Sequence, residues 1–218
     1  ATTKTDIEDG NDGFYAVSEV IVPPDVGLCG HDIAILILQD SIPELEAIPY
    51  PPRVDEPVNT DPFGLSAQGE TYSAAGYGQE GDGWGSGPSG IRRRRDNLTA
   101  VCEGNACGQP DSLYVQEWLG DEGVCSGDSG GPALDAQNRV IGVVSRGAPG
   151  CESPVYTSVF GWRDWIMSVV KTKSQDTGFV VPEWADGGSS DPSTSWPVGG
   201  PCTDNNGCYS GICIDGYC

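Results

Sequence analysis

The sequence predicts an all-β fold with a single helix near its end. Three observations carry that prediction. The 218 residues include 32 glycines and 17 prolines, a density of turn formers that a helix bundle does not accommodate. Short apolar stretches with strand character recur between turn signals. Only one segment shows the i, i+3, i+4, i+7 apolar spacing of a helix.

In chain order, Ala1 to Gly13 is polar and acidic and reads as an exposed loop. Phe14 to Val22 alternates as a strand, and Pro23-Pro24 ends it. Ile33 to Leu38 is a continuous apolar run, which predicts a strand buried on both faces. The proline-rich stretch Ile42 to Pro62 reads as an extended connector. Glu70 to Gly78 is a strand ending in glycines, and Glu80 to Gly90 is a glycine-rich loop. Ile91 to Val101, Leu113 to Trp118 and Val140 to Ser145 complete the predicted strands. Val159, Trp162, Ile166, Val169 and Val170 share one helical face. Thr157 and Ser158 are positioned to cap the start, and Lys171 to Lys173 suit a C-terminal dipole. Asp176 to Gly200 is rich in Gly, Ser, Pro and Asp and reads as a linker, packed in part through Phe179 and Trp184. Cys202, Cys208, Cys213 and Cys218 follow with almost no apolar residues between them. Two disulfides in any of three connectivities would hold that tail. A zinc site is the other reading, but the spacing contains no CxxC pair.

Composition excludes some functions. With 32 acidic and 11 basic residues the formal charge is −21, so nucleic acid is not the expected partner. No apolar run reaches membrane-spanning length. Nine cysteines in an acidic, turn-rich chain point to an oxidising compartment and hence to secretion. The odd count leaves one without an intrachain partner. The chain opens Ala1-Thr2-Thr3, its sole methionine is Met167, and no signal peptide is visible, so a processed product or fragment is expected.

The stretch Cys125-Ser126-Gly127-Asp128-Ser129-Gly130-Gly131-Pro132 carries the chemistry. A serine hydroxyl is a poor nucleophile until a base takes its proton and donors hold the developing oxyanion. Glycines flanking Ser129 permit a turn tight enough to aim the N–H groups of Gly127 and Ser129 at one point. A shorter GxSxG string is often only a glycine-rich turn with a capping serine. The full eight residues argue against that.

This stretch resembles the nucleophile loop of the trypsin/chymotrypsin family of serine endopeptidases, whose triad is also a template for the general mechanism. Other segments agree in order. His31-Asp32-Ile33-Ala34-Ile35-Leu36 resembles the segment with the triad aspartate, which makes Asp32 that residue. Gly76-Tyr77-Gly78 resembles the Gly-Trp-Gly that follows the connector between barrels. Val144-Ser145-Arg146-Gly147 resembles the strand beside the specificity pocket, and Pro154-Val155-Tyr156-Thr157 with the following helix resembles the family's end. The likeness runs from about Phe14 to Lys173. It implies a chymotrypsin-like double β-barrel with its first barrel incomplete. The implied divisions are a remnant of the N-terminal barrel with connector over 1–62, the second barrel and helix over 63–175, a linker over 176–200 and a Cys-rich module over 201–218. It implies a peptide or protein substrate, no cofactor and no metal.

The resemblance also assigns parts. Ser129 is the nucleophile, Asp32 orients the base, and Gly127 and Ser129 form the oxyanion hole. Ser145 would be a second donor to Asp32. Gly123, Val124, Ser145, Gly147 and Pro154 border the pocket for the substrate residue whose carbonyl is attacked (P1). Gly123 stands where trypsin-like members carry aspartate, and Pro154 where the family usually has glycine. A small or medium apolar P1 residue is therefore expected. Cys125–Cys151 matches the disulfide that braces this pocket, and Cys102–Cys107 are close enough for a local bridge.

Two family features are absent from the sequence. The base is normally a histidine upstream of the aspartate in a Thr-Ala-Ala-His-Cys-like segment. This chain has one histidine, His31, adjacent to Asp32, where strand geometry turns neighbours to opposite faces. An Ile-Val-Gly-Gly-like start, whose amine pairs with the residue equivalent to Asp128, is also missing. Three readings follow: an endopeptidase whose histidine lies in a missing N-terminal segment, an inactive homologue serving as a binding module, and a two-chain enzyme with the histidine held through Cys29. The polypeptide by itself is expected not to hydrolyse peptides. Weaker signals are the Arg92–Arg95 run (a processing site, a contact with acidic groups, or a solvated strand), the Asn97-Leu98-Thr99 sequon, and the Asp6, Glu8, Asp9, Asn11, Asp12 cluster (a calcium loop or an acidic solvated one).

Overall fold

The computed structural model describes residues 1–10, 13–24, 29–43, 45–60, 69–80, 87–107 and 113–187. Eight strands and one α-helix follow in order: β1 (Val17–Ile21), β2 (Ile35–Leu38), β3 (Thr71–Gly76), β4 (Arg93–Glu103), β5 (Glu117–Gly120), β6 (Pro132–Leu134), β7 (Val140–Ala148), β8 (Glu152–Ser158) and α1 (Arg163–Thr177). Strands β3-β4-β5-β8-β7-β6 close into a barrel with every pairing antiparallel. Closure needs strands that bend. The register shift between Tyr72 and Ala74, opposite Asn97 with its positive φ, supplies one such bend on β4.

The barrel interior is aromatic at its centre. Trp118 stacks on Tyr156 with ring centroids 4.2 Å apart, and Tyr72 meets both edge-on. All three are essentially buried, and Ala74, Leu98, Ala100, Ala133, Ile141 and Val144 pack around them. Stacked and edge-on pairs each add about 0.5–1.5 kcal/mol beyond area burial. Burial raises both phenols, Tyr156 to about 12.

A second cluster joins Val54, Val159 and Ile166 to Ile33, Ile35, Trp162, Trp165 and Trp184. It glues α1 to the segment just after Asp32. The connector is clamped by charge: the buried Arg53 guanidinium bonds both oxygens of Glu70 at 2.7 Å and Asp135 at 3.3 Å.

Several elements differ from the sequence expectation. Ile33 to Leu38 is not a strand buried on both faces: β2 covers only Ile35–Leu38 and pairs with β1 alone. Ile35 packs on the second cluster, but among the described residues nothing covers the opposite face, and Leu36 is 48% exposed and Val20 59%. The strand expected at Leu113 to Trp118 begins only at Glu117. The short β6 was not foreseen. Thr157 and Ser158 belong to β8 rather than capping α1, whose N-cap, Trp162, makes no side-chain cap bond. The helix runs past Lys173 to Thr177 and stops at Gly178 in the left-handed conformation. Beyond it, Trp184 packs on the second cluster while Phe179 is exposed. Most of the linker, the Cys-rich tail, Asn11, Asp12 and the middle of the Glu80–Gly90 loop lie outside the described residues.

Trp118→Ala is expected to lower unfolding free energy by about 3–5 kcal/mol, read as a shift in urea midpoint. Ala substitution at exposed Val20 is expected to cost under about 0.5 kcal/mol in the same assay.

Candidate functional site

The loop from Cys125 to Gly131 is held by its own backbone and by one carboxylate. Asp128 N–H donates to the Cys125 carbonyl at 3.0 Å, Gly131 N–H to the Asp128 carbonyl at 2.8 Å, and Gly130 N–H to Val144 at 2.8 Å. The Asp128 carboxylate accepts from Gly78 N–H at 2.7 Å and Cys125 N–H at 2.8 Å. It lies so close to the β3 turn that a Cβ on Gly76 or Gly78 would fall 2.1 or 2.5 Å from its atoms. Gly127 and Gly130 have φ of +96° and +83°, values that L side chains strain to adopt. Cys125 is joined to Cys151, their Cα atoms 4.6 Å apart, and Cys102 to Cys107. Ser129 is left exposed on this rigid loop. The N–H groups of Gly127 and Ser129 donate to no other described residue.

Ser129 and Gly127 border a cavity of about 260 Å³ whose other walls include Val124, Ser145, Gly147 and Pro154. No carboxylate lines it among the described residues. Gly123 does not line it. That residue faces a separate cleft, where an added Cβ would sit 2.7 Å from Leu98. On the other side of Ser129 a wider cleft of about 780 Å³ is bordered by Ile48, Tyr50, Tyr77 and Leu134.

Asp32 is tied to the same cavity through Ser145, whose Oγ donates to Asp32 Oδ2 at 2.7 Å. The Thr157 hydroxyl donates to the Asp32 carbonyl at 2.8 Å. Asp32 Oδ1 accepts from no described residue. His31, by contrast, turns onto Trp162, with ring centroids 5.3 Å apart, and its Nδ1 lies 3.2 Å from the Cys29 carbonyl. It does not line the cavity beside Ser129. Cys29 is an exposed free thiol.

Sequence reasoning missed two residues. Glu117, fully buried on β5, accepts two bonds from the Arg146 guanidinium, one of them at 2.9 Å, plus Gly30 N–H at 2.7 Å and Tyr114 N–H at 3.1 Å. Burial alone would raise its pKa. The Arg146 bonds and the two backbone donors outweigh burial and hold it below the ordinary glutamate value. A glutamate within an apolar strand run and an arginine in the strand beside the pocket were visible signals, since each needs a buried partner.

A family model described as Trypsin matches residues 1–166. The chain belongs to the trypsin family. Human Kallikrein-9 is 47% identical over 58 residues, which is 25% of this chain and 23% of that protein. Snake venom serine protease KN11 of Trimeresurus stejnegeri is 42% identical over 55 residues, 23% of this chain and 21% of the relative. Factor V activator of Macrovipera lebetinus is 40% identical over a stretch of the same length. The chain thus spans about a quarter or less of these curated relatives. Among the described residues no helix is long and apolar enough to cross a membrane.

The lowered Glu117 value fixes a pH dependence. Its stabilisation is complete above the ordinary value of 4.5 and disappears as pH falls through the lower folded-state value. Thermal midpoints are expected to drop below about pH 4.5, less steeply in Glu117→Gln.

Proposed function

We propose that this trypsin-family chain carries the nucleophile, oxyanion donors and orienting carboxylate of a secreted serine endopeptidase, with the base supplied from outside these 218 residues. The observation that carries the reading is the Ser145 bridge: Ser145 borders the cavity beside Ser129 and hydrogen-bonds Asp32. Ser129 Oγ bonds to the scissile carbonyl carbon while its proton passes to an imidazole nitrogen. The free Oδ1 of Asp32 accepts from the other ring N–H. Gly127 and Ser129 N–H groups hold the oxyanion. The C–N bond then breaks, the imidazolium proton goes to the leaving amine, and water releases the acyl group. No cofactor enters.

The exposed Cys29 thiol, near Asp32 in sequence, and the uncovered apolar side chains of β1 and β2 support attachment of a further segment or chain that brings the imidazole. On this reading residues 1–62 belong to the first barrel and connector, 63–175 to the second barrel and helix, 176–200 to a linker and 201–218 to a Cys-rich module. The cavity has Arg146 but no carboxylate among its described lining residues, which disfavours a basic P1 residue and favours a small or medium apolar one, with Val124, Ser145, Gly147 and Pro154 as its contacts. Gly123 acts only behind that wall. The leaving side of the substrate crosses the wider cleft beyond Ser129. The second reading is an inactive homologue that binds peptides. It is favoured by the position of His31, the chain's sole histidine, against Trp162.

A fluorophosphonate separates them. The isolated chain is expected to label slowly at Ser129. Added imidazole is expected to raise the rate by about 10²-fold or more, with the gain lost in Ser129→Ala and reduced in Asp32→Asn. Rapid labelling without imidazole overturns the need for an outside base. No labelling under either condition leaves the binding module. In a substrate panel on the completed enzyme, an Arg P1 preference above about tenfold overturns the pocket assignment.

A further inference from the structure

The Glu117–Arg146 pair takes no part in the chemistry above, yet it is built into the wall that carries Asp32. Gly30, two residues before Asp32, donates its N–H to Glu117 at 2.7 Å and accepts from Trp162 Nε1 at 3.0 Å. Its φ is +79°, and an added Cβ would meet Tyr114 at 2.9 Å, so this segment lies flush against the loop before β5. Arg146 directly follows Ser145 on β7 and closes the fork on Glu117 with both terminal nitrogens. Asp32 is therefore gripped twice. Ser145 holds its carboxylate from β7, and Glu117 holds its chain from β5. The Arg146 fork locks those two strands' contributions together.

We propose that Arg146 and Glu117 are positioning residues for the Asp32 carboxylate. Neither touches the reacting atoms. A carboxylate that must keep one oxygen on Ser145 and the other open to an imidazole tolerates little drift. The Arg146 fork on buried Glu117 and the Gly30 bond restrict that drift from the backbone. The inference rests on the reading of Asp32 as the orienting aspartate.

The test uses the whole chain. Removing Arg146 alone would strand the buried Glu117 charge, so the working variant is Arg146→Met with Glu117→Leu, alongside Arg146→Lys, which keeps a charge but loses the fork. In the double variant, hydrogen exchange at Gly30 N–H and the Trp162 indole is expected to rise at least about tenfold, while Trp118 and Val143 amides in the barrel change by less than about twofold. Imidazole-supported labelling of Ser129 is expected to fall to the Asp32→Asn level, with Arg146→Lys recovering part of it. Exchange at Gly30 unchanged, or rising in step with the barrel amides, overturns the proposal. Gly30→Ala opens the same tie independently and is expected to reproduce the loss of labelling. If imidazole supports no labelling in the unaltered chain, the nucleophile reading fails. The exchange data still decide whether the pair holds the segment.

Discussion

A glutamate sealed from water holds two parts of this protein together. Glu117 belongs to the barrel, while Gly30 and Asp32 belong to a segment outside its six strands. Four donors converge on the carboxylate, two from one arginine and two from backbone. In a dry site such a group is tolerated only when fully satisfied. Stripping away its cation would cost about 3–5 kcal/mol, a large share of the stability of an ordinary domain. The requirement runs in both directions. The barrel demands donors for Glu117, and meeting that demand holds Gly30, and with it Asp32, beside Ser145, which borders the cavity next to Ser129.

A second carboxylate organises the other half of the site. Asp128 takes its two donors from the β3 turn and from its own loop. The glycines at 76 and 78 are the space it occupies. With Gly127 and Gly130 in left-handed conformations, the loop has few alternatives. This is why the Gly127 and Ser129 N–H groups are left free of internal partners. Rigidity here comes from hydrogen bonds to the half-buried Asp128 carboxylate more than from apolar packing, which is concentrated around Trp118, Tyr72 and Tyr156 inside the barrel.

The charge balance of the molecule follows the same logic. The few cations of a chain with net charge −21 are not spread evenly. Arg53 and Arg139 share buried Asp135, and Arg146 serves Glu117. These placements fix the connector and the Asp32 segment against the barrel. Exposed pairs such as Lys171–Asp186 add little, because water screens them.

The residues themselves determined the all-β class, the single helix and the eight-residue loop around Ser129. Turn formers, helical periodicity and a glycine-bounded serine act locally, so sequence displays them. Asp32 and its Ser145 donor were also legible, through resemblance to a family whose segments keep their order. Ile33 to Leu38 was misread as buried on both faces because burial depends on neighbours rather than on the apolarity of a run. Gly123 borders a cleft separate from the cavity beside Ser129, a placement that depends on the folded path of its loop. The Glu117–Arg146 fork joins residues 29 positions apart and the Ser145–Asp32 bond residues 113 apart. Charge pairing at such separations is set by how the strands stack, and only the folded barrel decides which arginine meets which buried acid.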